Sequence, residues 1–175
     1  MPAPPADESV RVIFLDVDGV VCCNDRGLLE PPKMMLLAKV CQETGAKVCL
    51  STNWRLHDDL RNRLYTELAA YGCECVGSTP NANEAALQVG MRPLEIRAWV
   101  ERWNEIAGRP PVGKFVAVDD RALLGEEGGD WLRGRFVQTN FTTGLTERVA
   151  ARLIAVLHPL KTDGGRSEEH TSELQ

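Results

Sequence analysis

Residues Val10-Arg-Val-Ile-Phe-Leu15 form a short, mostly apolar run rich in β-branched residues, and it stops at the acidic Asp16-Val-Asp18-Gly19. This constrains the fold more than any other feature of the chain. A strand with one wet face alternates apolar and polar residues. One that is almost wholly apolar is buried on both faces, as in a parallel sheet covered by helices. The pattern returns downstream in Ala46-Lys-Val-Cys-Leu50, which runs into Ser51-Thr-Asn-Trp-Arg55, and in Phe115-Val-Ala-Val118, which ends in Asp119-Asp120. Shorter strands are predicted at Glu74 to Gly77 and Arg135 to Gln138.

Between these runs the apolar period changes to that of a helix. Residues Pro32 to Thr44 place Met34, Leu37, Ala38 and Cys41 on one side, with proline in the first turn and Gly45 as the stop. A second helix is predicted from Asp58 to Tyr71, and a third from Pro93 to Ala107 with Trp99 and Trp103 facing the core. A fourth starts near Thr146, a good N-cap with Glu147 behind it, and Pro159 closes it. Five strands alternating with helices predict an α/β fold, a three-layer α/β/α sandwich around a five-stranded parallel sheet.

Composition agrees with one globular domain. The chain has 175 residues, 43% apolar and 26% charged, with 15 glycines and 10 prolines, which excludes collagen-like or wholly disordered classes. No apolar run approaches a membrane span, and Met1 to Ser9 lacks the apolar stretch of a signal peptide. A net charge of -5 argues against wholesale nucleic-acid binding, and no strong basic patch stands out. The six cysteines include no C-x-x-C pair and read as a reduced, intracellular set, so a cytoplasmic location is expected. The ordered domain is expected over residues 10–160, after a disordered segment at 1–9 and before a polar tail at 161–175. Residues 166–175 resemble the in-frame translation of a sequencing-library adapter, so they are set aside as non-native.

In an open α/β sheet, ligands bind beyond the carboxyl ends of the strands. Asp16 and Asp18, Ser51-Thr52-Asn53, and Asp119-Asp120 occupy three such ends. If those strands are neighbours, four carboxylates converge, and they cannot all stay ionised without compensation. A hard divalent cation resolves this, and Mg²⁺ is the usual solution for phosphate chemistry.

Phe14-Leu-Asp-Val-Asp-Gly-Val-Val21 resembles the first motif of the haloacid dehalogenase (HAD) superfamily, whose members are mostly phosphohydrolases. Ser51 resembles the second motif, Arg92-Pro93 the third and Val118-Asp119-Asp120 the fourth, in the same order along the chain. The resemblance implies a Rossmann-like sheet, an Asp16 nucleophile forming an aspartyl-phosphate, and Asp18 as general acid and then base. It implies Ser51 as a phosphate ligand, with Thr52 or Asn53 beside it, and Arg92 as the neutralising cation. Lys114 is the alternative to Arg92. Asp16, Asp18, Asp119 and Asp120 are the implied metal ligands, with Mg²⁺ as cofactor. Arg55 is read either as a substrate-phosphate contact or as half of a salt bridge, and Trp54 as packing.

The 33 residues from Asp18 to Ser51 and the 37 from Arg55 to Arg92 are already filled by predicted elements, so no cap domain is expected. An open site favours a macromolecular phosphoester, such as an RNA end or phosphoprotein. A small metabolite remains possible if the Asn24–Glu30 or Thr79–Gly90 loop closes over it. Ser51-Thr-Asn-Trp-Arg55, Arg92-x-x-Glu95-Ile-x-x-Trp99, Val-Asp-Asp120 and Gly144-Leu-Thr146 resemble the small HAD domain of multidomain RNA-repair proteins. The competing readings are a non-catalytic phosphate-binding scaffold and a phosphotransferase. The sequence does not decide the oligomeric state.

Overall fold

The computed structural model describes residues 9–81 and 91–160. Apart from Ser9, the expected disordered segment before Val10 lies outside them, as do residues 82–90 of the Thr79–Gly90 loop and the tail at 161–175.

Strand β1 (Val10–Leu15) leads through a tight turn and a loop to helix α1 (Pro31–Thr44). Proline sits in the first turn of α1. Gly45, at φ 70°, ends it by donating its N–H to the Cys41 carbonyl. Strand β2 (Lys47–Leu50) is followed by a 3-10 turn at Asn53–Leu56, helix α2 (Asp58–Ala70) and strand β3 (Cys75–Ser78). Helix α3 (Arg92–Glu105) precedes strand β4 (Val112–Asp119). Two further 3-10 turns, Leu123–Gly125 and Gly129–Leu132, lead to strand β5 (Phe136–Gln138). Helix α4 (Glu147–Leu157) is capped by the Thr146 hydroxyl, which accepts from the Val149 N–H.

The strands form one sheet in the order β3-β2-β1-β4-β5, and every pairing is parallel. The α/β three-layer expectation therefore holds. The layers are uneven. Ile13, Leu15, Val48, Leu50, Val116 and Val118 bury one face of the sheet against α1, α2 and α4 through Met34, Leu37, Leu64, Leu68, Leu153 and Leu157. Val12, Phe14, Cys49, Phe115 and Ala117 bury the other against α3 and the turns of the β4–β5 connection, through Ile96, Trp99, Leu123 and Leu132. Phe14 sits edge-on between Trp99 and Phe115, with ring centroids 5.5 and 5.6 Å away. Trp99 is core as expected, and Trp103 stacks on it.

β4 starts three residues before the predicted Phe115. Val112 pairs with Val10 at the start of β1, after which the register shifts, and the exposed Gly113 and Lys114 hide this extension from a search for apolar runs. Among the described residues, no helix is long and apolar enough to cross a membrane. All six cysteines are free thiols.

Candidate active site

β1 lies at the centre of the sheet, with β2 on one side and β4 on the other. The chain thus winds outward in both directions from β1, and the crevice at the carboxyl ends of β1 and β4 is the topological switch point. Backbone bonds align those ends. The Asp16 N–H donates to Val118, the Ser51 N–H to Leu15, the Thr79 N–H to Leu50 and the Thr139 N–H to Asp119.

Alternation along the strands sets the direction of the side chains. Asp16 is two residues beyond Phe14, Ser51 two beyond Cys49 and Asp119 two beyond Ala117, and those three belong to the face covered by α3. The first residue of α3 is Arg92. Its NH1 lies 2.7 Å from Asp119 Oδ2 and 3.5 Å from Asp16 Oδ2, and its NH2 donates to Asn53 Oδ1 at 3.3 Å. Asp16, Asp119 and Arg92 are all buried.

Burial and the charge of Asp119 together push the Asp16 carboxyl up to about 9, against the pull of Arg92. Burial also raises Asp119, although Arg92 opposes it. Burial works against the Arg92 cation, but the charges of Asp119 and Asp16 outweigh it and raise its pKa. One guanidinium therefore does not compensate both acids. Half-buried Asp120 joins them, and one oxygen from each of Asp16, Asp119 and Asp120 lies within 4.8 Å of the others. Three hard oxygen donors with excess negative charge fit a small divalent cation.

The turn after β1 is tightly fixed. Val20, Val21 and Cys22 all donate to the Val17 carbonyl, Gly19 donates to Cys22, and the buried Thr139 hydroxyl donates to the Gly19 carbonyl at 2.6 Å. Gly19 has φ 76°, and a Cβ there would come within 2.7 Å of the Asp120 side chain, so only glycine fits.

The expected residues separate into those at the crevice and those elsewhere. Asp16, Ser51, Arg92, Asp119 and Asp120 gather there. Four carboxylates were expected to converge, and Asp18 does not join the other three. The chain has already left the strand, its carboxylate is exposed, and Oδ2 accepts from the Trp54 indole N–H at 3.0 Å. The Thr52 hydroxyl is occupied in capping the 3-10 turn by accepting from the Trp54 backbone N–H, whereas Ser51 Oγ is buried with no hydrogen-bond partner. Asn53 is exposed and bonds Arg92. Lys114 is a correction. It is exposed near the amino end of β4, level with Arg11 and five residues before Asp119, whereas Arg92 touches the acids directly.

Arg55 takes the salt-bridge alternative. It is buried, with NH2 2.7 Å from Glu95 Oε2, and it also donates to the carbonyls of Thr52, Thr79 and Pro80. Sequence reasoning noted Glu95 within a motif but missed its pairing with Arg55, and it missed the Trp54 contact. Glu95 lies one helical turn after Arg92 and therefore shares its side of α3, a signal the spacing does carry. Nothing in the sequence singles out the Trp54 N–H. His57 and His158 are exposed.

A family model described as the HAD domain in Swiss Army Knife RNA repair proteins matches residues 12–150. No curated protein matches the chain. Among solved structures, the chain is similar to a D,D-heptose 1.7-bisphosphate phosphatase from B. bronchiseptica complexed with magnesium and phosphate, at 17% identity and TM-score 0.46, covering 83% of this chain and 99% of that one. It is also similar to a chain of the Pnkp1/Rnl/Hen1 RNA repair complex, at 19% identity and TM-score 0.47, covering 79% of this chain and 44% of that one.

Proposed function

This chain belongs to the family of HAD domains found in Swiss Army Knife RNA repair proteins, and from that premise we propose that it is a magnesium-dependent phosphomonoesterase acting through an aspartyl-phosphate. One observation carries the reading: two buried carboxylates, Asp16 and Asp119, share one guanidinium at the switch point of the sheet.

A carboxylate oxygen of Asp16 attacks phosphorus, and the bond from phosphorus to the leaving oxygen breaks. Asp18 gives its proton to that oxygen as it departs. Water then attacks the phosphorus of the aspartyl-phosphate, Asp18 takes the water's proton, and Asp16 is regenerated as inorganic phosphate leaves. Arg92 offsets the charge of the transferring group, and the unpartnered Ser51 hydroxyl donates to one of its oxygens. Asp16, Asp119 and Asp120 would hold magnesium. The chemistry a bound magnesium supplies is positive charge, which keeps Asp16 ionised and screens it from the phosphate.

Among the described residues, no element beyond the five strands, four helices and short 3-10 turns is present to form a separate cap. That openness supports a phosphorylated RNA end as substrate, in keeping with the family, and the thiols suit a reducing cytoplasm. The test is phosphate release from 3′- and 5′-phosphorylated oligonucleotides, phosphopeptides, nucleotides and p-nitrophenyl phosphate with magnesium. Release from an oligonucleotide end that is lost with EDTA and in Asp16→Asn is the expected result. Release that survives Asp16→Asn overturns the mechanism. A protein that binds these ligands without cleaving them is a scaffold.

A further inference from the structure

The contact between Trp54 and Asp18 has a chemical consequence that rests on the reading of Asp18 as acid and base. Asp18 is held from both ends. Its backbone lies in the turn locked by Val17, Cys22 and Thr139, and its Oδ2 accepts from Trp54 Nε1 at 3.0 Å. Trp54 has little freedom to follow a moving partner. It is 8% exposed, it packs into the main core, and its backbone N–H is bound by Thr52. The Arg63 guanidinium lies over its ring, 5.7 Å from the centroid, and is itself bonded to Glu67 at 3.1 Å. A cation over the face of an indole draws electron density from the ring and makes its N–H a better donor.

We propose that Trp54 is a positioning residue that decides which oxygen of Asp18 carries the proton. An indole N–H is a donor only. A carboxyl oxygen facing it must accept, and it can do so as one oxygen of a carboxylate or, more weakly, as the carbonyl oxygen of a neutral acid. The proton that Asp18 gives to the leaving group, and later takes from water, therefore resides on Oδ1. The bond to Trp54 persists through both steps, and the carboxyl group does not have to rotate between them. Holding the acid in one orientation is worth rate because a misplacement of about 1 Å in such a group costs on the order of 100-fold.

The experiment reads the dependence on the leaving group. Protonation matters most when the departing oxygen is strongly basic, so ethyl phosphate and 2,4-dinitrophenyl phosphate are compared with magnesium present. In Trp54→Phe, which keeps an aromatic ring and removes the donor, kcat/KM for ethyl phosphate falls about 10- to 100-fold, and at least about tenfold more than for the dinitrophenyl ester. In an Asp18→Asn background the same substitution adds no further loss. Replacement of Trp54 by benzothienylalanine, which keeps the bicyclic shape and substitutes sulfur for N–H, reproduces the selective loss even if Trp54→Phe folds poorly. Equal losses on the two esters, or a loss that multiplies with that of Asp18→Asn, would show that Trp54 only supports packing and would overturn the proposal while leaving the phosphatase reading intact. Wild-type protein that releases phosphate from neither ester nor from any phosphorylated oligonucleotide, phosphopeptide or nucleotide overturns both.

Discussion

Arg55 divides the two roles its place in the sequence allows, and they predict opposite outcomes. A substrate-phosphate ligand would be lost with a rise in KM and little change in stability. A structural strut would be lost with the fold. The structure places it as a strut between three segments. The guanidinium donates to the Thr52 carbonyl at 2.7 Å, to Thr79 at 2.9 Å, to Pro80 at 3.4 Å and to Glu95 at 2.7 Å, with the two side chains 4% and 11% exposed. It therefore ties the end of β2 and the end of β3 to the first turn of α3, the turn that also presents Arg92.

Removing one partner of a buried pair leaves an uncompensated charge and costs about 3–5 kcal/mol. Arg55→Met should lose that amount in urea unfolding at pH 7 without ligand, a large fraction of a typical domain's ~5–15 kcal/mol. Glu95→Gln keeps an oxygen for the guanidinium and should cost less, about 1–3 kcal/mol. Replacing both, as Arg55→Met with Glu95→Leu, should be less destabilising than Arg55→Met and Glu95→Leu measured singly and added, by about 2 kcal/mol or more. If Arg55→Met unfolds within about 1 kcal/mol of wild type while KM rises, the strut is wrong and the guanidinium serves the substrate.

Arg92 and Lys114 separate in the same way on activity. Arg92→Gln removes the guanidinium that Asp16 and Asp119 share and should lower kcat/KM by about 10²–10³, while Lys114→Gln, at the far end of β4, should stay within about twofold. Equal losses in both would overturn the placement of Arg92. Magnesium should also stabilise the protein in a pH-dependent way. Burial and the Asp119 charge raise Asp16 from 3.8 to about 9, so the metal-free fold favours its protonated form. That contribution is fully present below the unfolded value near 4 and is lost as pH rises towards 9. A cation binds only the ionised form and must displace the proton at neutral pH. The thermal shift caused by magnesium should therefore grow from pH 6 to pH 8.5 and flatten in Asp16→Asn. A shift that is constant, or larger at pH 6, refutes the assignment.

The strand ends were legible because each is marked twice, by the loss of apolar residues and by the polar residue that follows. Val10–Leu15 and the Thr146 cap stand where the pattern puts them. The choice between Arg92 and Lys114 was also legible, since Lys114 precedes the apolar run of its strand and so lies away from the carboxyl end. Asp18 was not. Period-two alternation would carry it to the side of Asp16, but the chain turns at Val17 and the alternation no longer applies. The Trp54 and Arg55 contacts were illegible for a related reason. Both lie in a 3-10 turn, where a shift of one residue changes the direction of a long side chain and no periodicity reports it.

The uneven layering of the sheet and the chemistry of the crevice have a common cause in strand register. Leu15 is paired with both Leu50 and Val118, and all three point into the face covered by three helices. The residue after each must then point the opposite way, and those residues are Asp16, Ser51 and Asp119. They reach the face where α3 alone among the helices supplies cover, and Arg92 stands at its end. Sliding any of these strands by one residue would bury a carboxylate or hydroxyl against leucines and expose a core residue in exchange. The three buried aliphatic side chains therefore hold the register that the site depends on.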